Sequence, residues 1–241
     1  MKGLGRDRMS IANLVYDRQQ LKEFLEHVLP KLERDEVFIA FIGCRKKYFP
    51  EIRTSQEFLA RRIIKHDDPE IVTQKLEQLG NTKGYYINGK PIPPDKMHMY
   101  LSLNPKSTLK GFKKFTSECM QRVYEIAVNP EQFELFRRID TWLFSSVHRS
   151  QSRTVYWLLD IDHKNEDTFD KVHDKLSNHI VANIETKGGF HIVVKANKET
   201  GKIIFTQMKG KLEDLEVHKH CQVALPGTYQ AGFRVYWWKN E

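Results

Sequence analysis

Two carboxylates stand two residues apart in Trp157-Leu-Leu-Asp-Ile-Asp162, where Asp160 and Asp162 alternate with Leu159 and Ile161. Strand side chains alternate between faces, so the two acids share one face and the aliphatics the other. Paired carboxylates suit a hard divalent cation, Mg2+ or Mn2+. Two such ions about 3.5–4 Å apart can activate an attacking hydroxyl and stabilise a leaving phosphate. Taken alone, the same pattern also describes a solvated strand end. A second element is Thr186-Lys187-Gly188-Gly189-Phe190-His191. Its glycines let the backbone approach an anion and present N–H groups, and Lys187 adds a charge for phosphate. His191 alternates away from Phe190 and Ile192, toward the face of the acids, where it could bind a triphosphate or donate a proton. A third element is Ala224-Leu-Pro-Gly-Thr-Tyr-Gln-Ala-Gly-Phe233, in which Pro226-Gly227 makes a turn and Thr228 and Gln230 offer neutral hydrogen bonds.

These residues need a scaffold. Residues 154–162 read as a strand, 166–178 as a helix with Phe169, Val172 and Leu176 on one face, 181–185 and 190–195 as strands, 200–212 as a weak helix and 217–225 as a strand. Residues 234–238 add a possible edge strand. The order β-α-β-β-α-β is a split βαβ, ferredoxin-like or RRM-like half, with helices on one sheet face and the other free for a site. Upstream, residues 17–34 read as a helix, 37–43 as a buried strand followed by the basic run Arg45-Lys46-Lys47, and 56–79 as a helix broken near Asp68-Pro69. Residues 80–94 read as a hairpin or loop, 97–103 as a strand, 106–128 as a helix, 130–144 as another and 145–153 as a connector. The expected class is α+β, with a basic N-terminal α/β module over residues 1–150 and a catalytic half over residues 151–241 packed together as one core.

Composition narrows the class of partner. The chain carries 39 Lys and Arg against 31 Asp and Glu, a net charge of +8. Residues 1–150 hold 26 against 19 (+7) and residues 151–241 hold 13 against 12 (+1). A basic half suits a phosphate backbone, and acids set in a neutral half suit a metal. Three widely spaced cysteines, Cys44, Cys119 and Cys221, argue against a disulfide framework. No apolar run reaches membrane-helix length, and residues 1–10 have no signal-peptide character. A cytoplasmic protein is expected. His218, His220 and Cys221 have zinc-ligand chemistry, but Cys221 falls on the opposite strand face from the histidines and no second cysteine pair accompanies it.

The three motifs in this order resemble those of the archaeo-eukaryotic primase superfamily, which includes primase-polymerases and the polymerase domains of bacterial end-joining ligases. The resemblance covers residues 154–233. In the N-terminal part, Phe41-Ile-Gly-Cys-Arg-Lys-Lys-Tyr48 and Tyr100-Leu-Ser-Leu-Asn-Pro-Lys-Ser107 resemble segments of small phage or bacterial members. The resemblance implies a template-dependent nucleotidyltransferase that adds NTP or dNTP to a DNA or RNA 3′-hydroxyl. It implies Asp160 and Asp162 as metal ligands and His191 with Lys187, Gly188 and Gly189 as the triphosphate site. It further implies Arg45 or Lys46, and Thr228, as nucleotide contacts. Members of the family usually supply a further acid from the strand before Leu225. Here 216–223 reads Glu-Val-His-Lys-His-Cys-Gln-Val, which leaves Glu216 as the candidate. A helicase or other replication or repair protein would act in trans. The competing expectations are a nucleic-acid-binding member without catalysis and a metal-dependent nuclease using the same acids.

Overall fold

The computed structural model describes residues 12–52, 57–82, 85–87 and 90–238, an α+β architecture of antiparallel sheets and helices. The expectation for residues 1–10 and parts of the expected 80–94 hairpin lie outside the described residues. The first half runs β1 (Ala12–Asn13), α1 (Arg18–Val28), β2 (Glu36–Cys44), β3 (Phe58–Ile64), α2 (Pro69–Gly80), β4 (Asn81–Thr82), β5 (Tyr85–Ile87), β6 (Lys90–Ile92) and β7 (Met97–Ser107). Then come α3 (Thr108–Val128), a 3-10 segment (Pro130–Arg138) and α4 (Ile139–His148). The second half runs β8 (Tyr156–Asp162), α5 (Glu166–Leu176), β9 (Ile180–Glu185), β10 (Gly189–Lys195), α6 (Lys198–Ile203), a π turn (Ile204–Met208) and β11 (Leu215–His218). Four short strands close it: β12 (Gln222–Ala224), β13 (Tyr229–Gln230), β14 (Phe233–Arg234) and β15 (Tyr236–Trp238).

Two sheets face each other. The first has the order β14-β13-β7-β2-β3, with β12 also on β7, and the second has the order β11-β8-β10-β9-β15. All nine residues of β2 are buried, as expected for a continuous apolar strand covered on both faces. In the second sheet the alternation read from the sequence sorts side chains by face. Leu159, Ile161, Ile192 and Val194 pack on α5 and α6 with Val172, Leu176, Ile204 and Met208. Leu158, Ala182, Ile184 and Val193 turn the other way and join the core built on the first sheet and α1.

Several elements differ from expectation. Residues 58–64 are not the start of a helix but strand β3, paired antiparallel with β2. Their apolar spacing serves either period, and a partner strand lacking a neighbour decides it. The helix begins only at Pro69, where the Asp68 side chain accepts from the Glu70 and Ile71 N–H groups. The expected 145–153 connector instead carries the end of α4, through His148. The single strand expected over 217–225 is two strands in two sheets: β11 pairs β8, β12 pairs β7, and the chain turns between them at Cys221, φ +44°. Residues 234–238 are likewise shared, with β14 on the first sheet and β15 at the edge of the second. The last strands therefore tie the second half back onto the first. Among the described residues no helix is long and apolar enough to cross a membrane.

Candidate active site

A cleft of about 610 Å3 lies between the sheets. Its floor is the polar face of β8, β10 and β11. The ladder sets Asp160 directly between His191 of β10 and Glu216 of β11. His191 is almost wholly buried, with Nε2 3.4 Å from Asp160 Oδ1. The Ala224 N–H donates to His191 Nδ1 at 3.5 Å, which places the ring proton on Nε2, toward Asp160. Burial lowers the His191 pKa; Asp160 pulls it the other way, and Arg45 adds to the lowering. A neutral imidazole that orients Asp160 is the consequence. On the far side of Asp160, His218 Nε2 lies 3.8 Å from Oδ2 and 3.3 Å from Glu216 Oε2.

Asp162 is exposed at the strand end, where the chain leaves through two consecutive left-handed residues, His163 (φ +60°) and Lys164 (φ +51°). Asp214 holds this turn. Its backbone carbonyl accepts from the Asp162 N–H at 3.0 Å, and its carboxylate accepts from Asn165 Nδ2 at 3.1 Å. Non-glycine residues in this region are strained and are retained where the surroundings fix them.

The opposite wall is basic and aromatic. Arg45, Lys47, Tyr48 and Gly188 gather with Asp160 and Asp162 around a small recess. Lys187 Nζ donates to the Ala231 carbonyl at 2.6 Å and sits 4.6 Å over the Tyr48 ring. Tyr100 stacks on Phe41 with rings 5.5 Å apart and 9° from parallel, and its hydroxyl accepts from Gln230 Nε2 at 2.7 Å.

Not every expected residue reaches this recess. Of the basic pair, Arg45 lines it and Lys46 does not; Lys46 is exposed and its backbone N–H donates to Glu57. Lys47 takes the place expected for Lys46. Thr228 is buried, and its hydroxyl donates to the Leu225 carbonyl at 2.6 Å, closing the Pro-Gly turn rather than facing nucleotide. Two residues on, Gln230 does face the recess; its Oε1 accepts from the Lys187 N–H at 2.6 Å. The Gly189 N–H is already given to Thr186 Oγ1 at 3.1 Å. A Cβ on Gly189 would collide with the Ile161 carbonyl, so this glycine lets β10 close on β8, while Gly188 faces the recess. His218 and His220 diverge: the first turns to Asp160 and Glu216, the second to Gln151.

Asp160, Asp162 and Glu216 are oxygen donors of the kind Mg2+ and Mn2+ take. Asp160 and Asp162 share the cleft face, and Glu216 is engaged with His218. Among the described residues no three His, Cys, Asp or Glu groups converge as a complete ligand set. The donor chemistry fits a divalent ion at the Asp160–Asp162 pair, with later ligands left to substrate phosphate and water, as is common for Mg2+. No family model, no curated protein and no solved structure matches this chain.

Proposed function

We propose that the protein is a template-dependent nucleotidyltransferase of the primase-polymerase kind, adding NTP or dNTP to a nucleic-acid 3′-hydroxyl. One observation carries the reading. Two carboxylates and two cationic side chains, Arg45 and Lys47, meet around one recess at the end of a cleft between two sheets, with Lys187 over the Tyr48 ring that lines it. Triphosphate and divalent ion together need that mixture of charges, and neither charge alone would serve them. The strand order β11-β8-β10-β9 also supports it, because it is the fourth-first-third-second order of a split βαβ unit.

Asp160 and Asp162 would hold the divalent ion, which when bound supplies Lewis-acid stabilisation of the phosphoryl oxygens and lowers the pKa of a bound hydroxyl. The chain's own residues do the rest. His191 donates its Nε2 proton toward Asp160 and keeps that carboxylate aimed into the cleft. Gln230 fixes the Lys187 backbone and the Tyr100 hydroxyl, tying the glycine turn to the aromatic wall. Arg45 and Lys47 offset the charge of the triphosphate. The test is extension of primed and unprimed templates with all nucleotides and Mg2+ or Mn2+. Product that requires both aspartates supports the reading. No product, or undiminished product from Asp160→Ala/Asp162→Ala protein, overturns it.

The incomplete ligand set favours a second reading, a nucleic-acid-binding protein of the same fold without catalysis. It expects salt-sensitive binding and no Mn2+ uptake coupled to triphosphate, which titration calorimetry measures directly. Degradation instead of extension in the same gels would identify a nuclease.

A further inference from the structure

The cleft does not end at the carboxylates. It runs along β8 toward Tyr156, four residues and about 13 Å from Asp160, where its lining changes to Lys209, Lys219, His220 and Gln222. Asn104 pins this end, its side-chain N–H donating at 2.8 Å to the carbonyls of both Tyr156 and Lys219. Among the described residues, the carboxylates lining the cleft are Asp160 and Glu57, and Glu57 lies beside Lys46 at the other end. Beneath the end that Asn104 pins, Lys106 is wholly buried, with Gln151 Oε1 at 3.5 Å, and the same Gln151 oxygen faces His220 at 3.1 Å. At the rim stands an aromatic ring. The π turn at Ile204–Met208 buries Ile204 and Met208 and leaves Phe205 41% exposed. Lys209 and Lys219 each lie 5.4 Å from the Phe205 ring, and Trp157 backs it edge-on at 5.7 Å. Neither lysine is ion-paired among the described residues. π turns are rare and occur often at functional sites.

We infer that this end of the cleft is the exit track of single-stranded nucleic acid: Lys209 and Lys219 hold consecutive phosphates, and an unpaired base stacks on Phe205. An exposed flat ring between two unpaired lysines matches the alternation of base and phosphate along a strand. An acidic polypeptide would match the lysines but leave the ring unused. A duplex would offer the ring no free base face. The inference rests on the proposed nucleic-acid function, and it adds which residues carry the strand away from the metal-ready end.

The test is binding, independent of nucleotide transfer. Fluorescein-labelled oligo(dT) of about 15 nucleotides is titrated with the full chain at several salt concentrations, with duplex DNA and poly-glutamate as competitors. Lys209→Ala/Lys219→Ala protein is expected to bind about tenfold more weakly, with the slope of log K against log salt reduced by about 1.4, two single-strand phosphates' worth. Phe205→Ala is expected to lose about tenfold at unchanged slope, and Phe205→Trp to restore it. Lys113→Ala, on α3, is expected to change little, and Asp160→Asn/Asp162→Asn to retain binding. Wild-type binding that none of the three track substitutions weakens would overturn the track and leave the proposed activity standing. No wild-type binding at any salt would overturn both. Displacement by poly-glutamate at equal charge, with the same sensitivity to the lysine changes and none to Phe205, would assign the surface to an acidic polypeptide instead.

Discussion

The two ends of the inter-sheet cleft lie along the same strand, β8, and differ in almost everything else. At one end β8 presents Asp160 and Asp162, β10 presents His191, and β11 presents Glu216, so regular strand pairing alone lines up the acids. At the other end Lys209, Lys219 and His220 come from turns beyond the strands, and Lys106 and His148 come from beneath. The first end mixes signs; the second presents Lys209 and Lys219 beside His220 and the neutral Gln222. A polyanion crossing the cleft would meet lysines at one end and, at the other, carboxylates that attract it only through a bound cation. On the proposed reading, chemistry and grip divide within one groove, and that division can be tested end by end.

The largest effect is expected at the carboxylate end. Asp160→Asn/Asp162→Asn should remove the metal-derived stabilisation, worth several kcal/mol, and reduce nucleotide transfer at least about a thousandfold. Oligonucleotide binding should persist. Loss of binding in parallel with transfer would mean that the ends do not divide the work.

Nearly as large is an expected acid sensitivity shared by both ends. Burial pushes His98 down to about 3, with Arg45 and Lys47 adding to the shift; His98 Nδ1 lies buried without a hydrogen-bond partner among the described residues. Burial, then Lys106 and His220, push His148 down to about 4. Their folded pKa values lie below the ordinary value near 6.5, so the unfolded chain binds more protons between about pH 6.5 and pH 4. Stability therefore falls as pH falls through that window. From pH 7 to pH 5 each imidazole is expected to cost about 2 kcal/mol, measurable as a drop in the urea midpoint. His98→Phe should flatten part of that dependence, and an unchanged slope in that variant would exclude His98 as a source.

A smaller effect of the same sign, in an alkaline window, is expected at the basic end. Burial pushes Lys106 down to about 8, and among the described residues its ammonium meets only a neutral amide, Gln151. Below pH 8 the folded state holds a charge it stabilises poorly. That penalty disappears as pH rises from about 8 to 10.5, because there the unfolded chain alone remains protonated and releases its proton last. Lys106→Met should raise stability at pH 7 by about 2–3 kcal/mol and erase this alkaline rise. If it also weakens oligonucleotide binding, the buried charge serves the groove.

The carboxylate end was the legible one because it obeys a period. Alternation in 154–162 and 190–195 placed Asp160, Asp162 and His191 on one face without any knowledge of partners, and the face assignment of Ile192 and Val194 came with it. The basic end has no period to read. Lys209 and Lys219 are ten residues apart in sequence and meet at one ring only because the π turn and the turn after β11 converge there. Nothing local in 217–225 announces that the chain changes sheets at Cys221, since Val217, Val223 and Leu225 keep a plausible alternation through the break. Residues 58–64 failed for the converse reason: their spacing suits a helix, and only pairing with β2 makes them a strand. The exchange of Thr228 for Gln230 is a matter of turn chemistry. A hydroxyl directly after Pro-Gly has a nearby carbonyl to close on, which leaves the longer amide of Gln230 free to reach across.

Gln230 gives the finest test of how the carboxylate end is held together. Its Oε1 accepts from the Lys187 N–H and its Nε2 donates to the Tyr100 hydroxyl, so one amide joins the glycine turn of the second sheet to the aromatic wall of the first. Gln230→Ala strands both partners. Tyr100 is buried and loses its amide donor, and the Lys187 N–H must find water. A loss of about 1–2 kcal/mol in stability is expected, two modest hydrogen bonds in a polar setting. Nucleotide affinity should fall with it, because Lys187 is freed from its register, while binding of oligo(dT) at the lysine end should be unaffected. Gln230→Glu keeps the acceptor for Lys187 and removes the donor to Tyr100. If the glycine turn is what Gln230 positions, that variant should recover most of the nucleotide affinity and little of the stability; recovery in the reverse order would assign Gln230 to the aromatic wall instead.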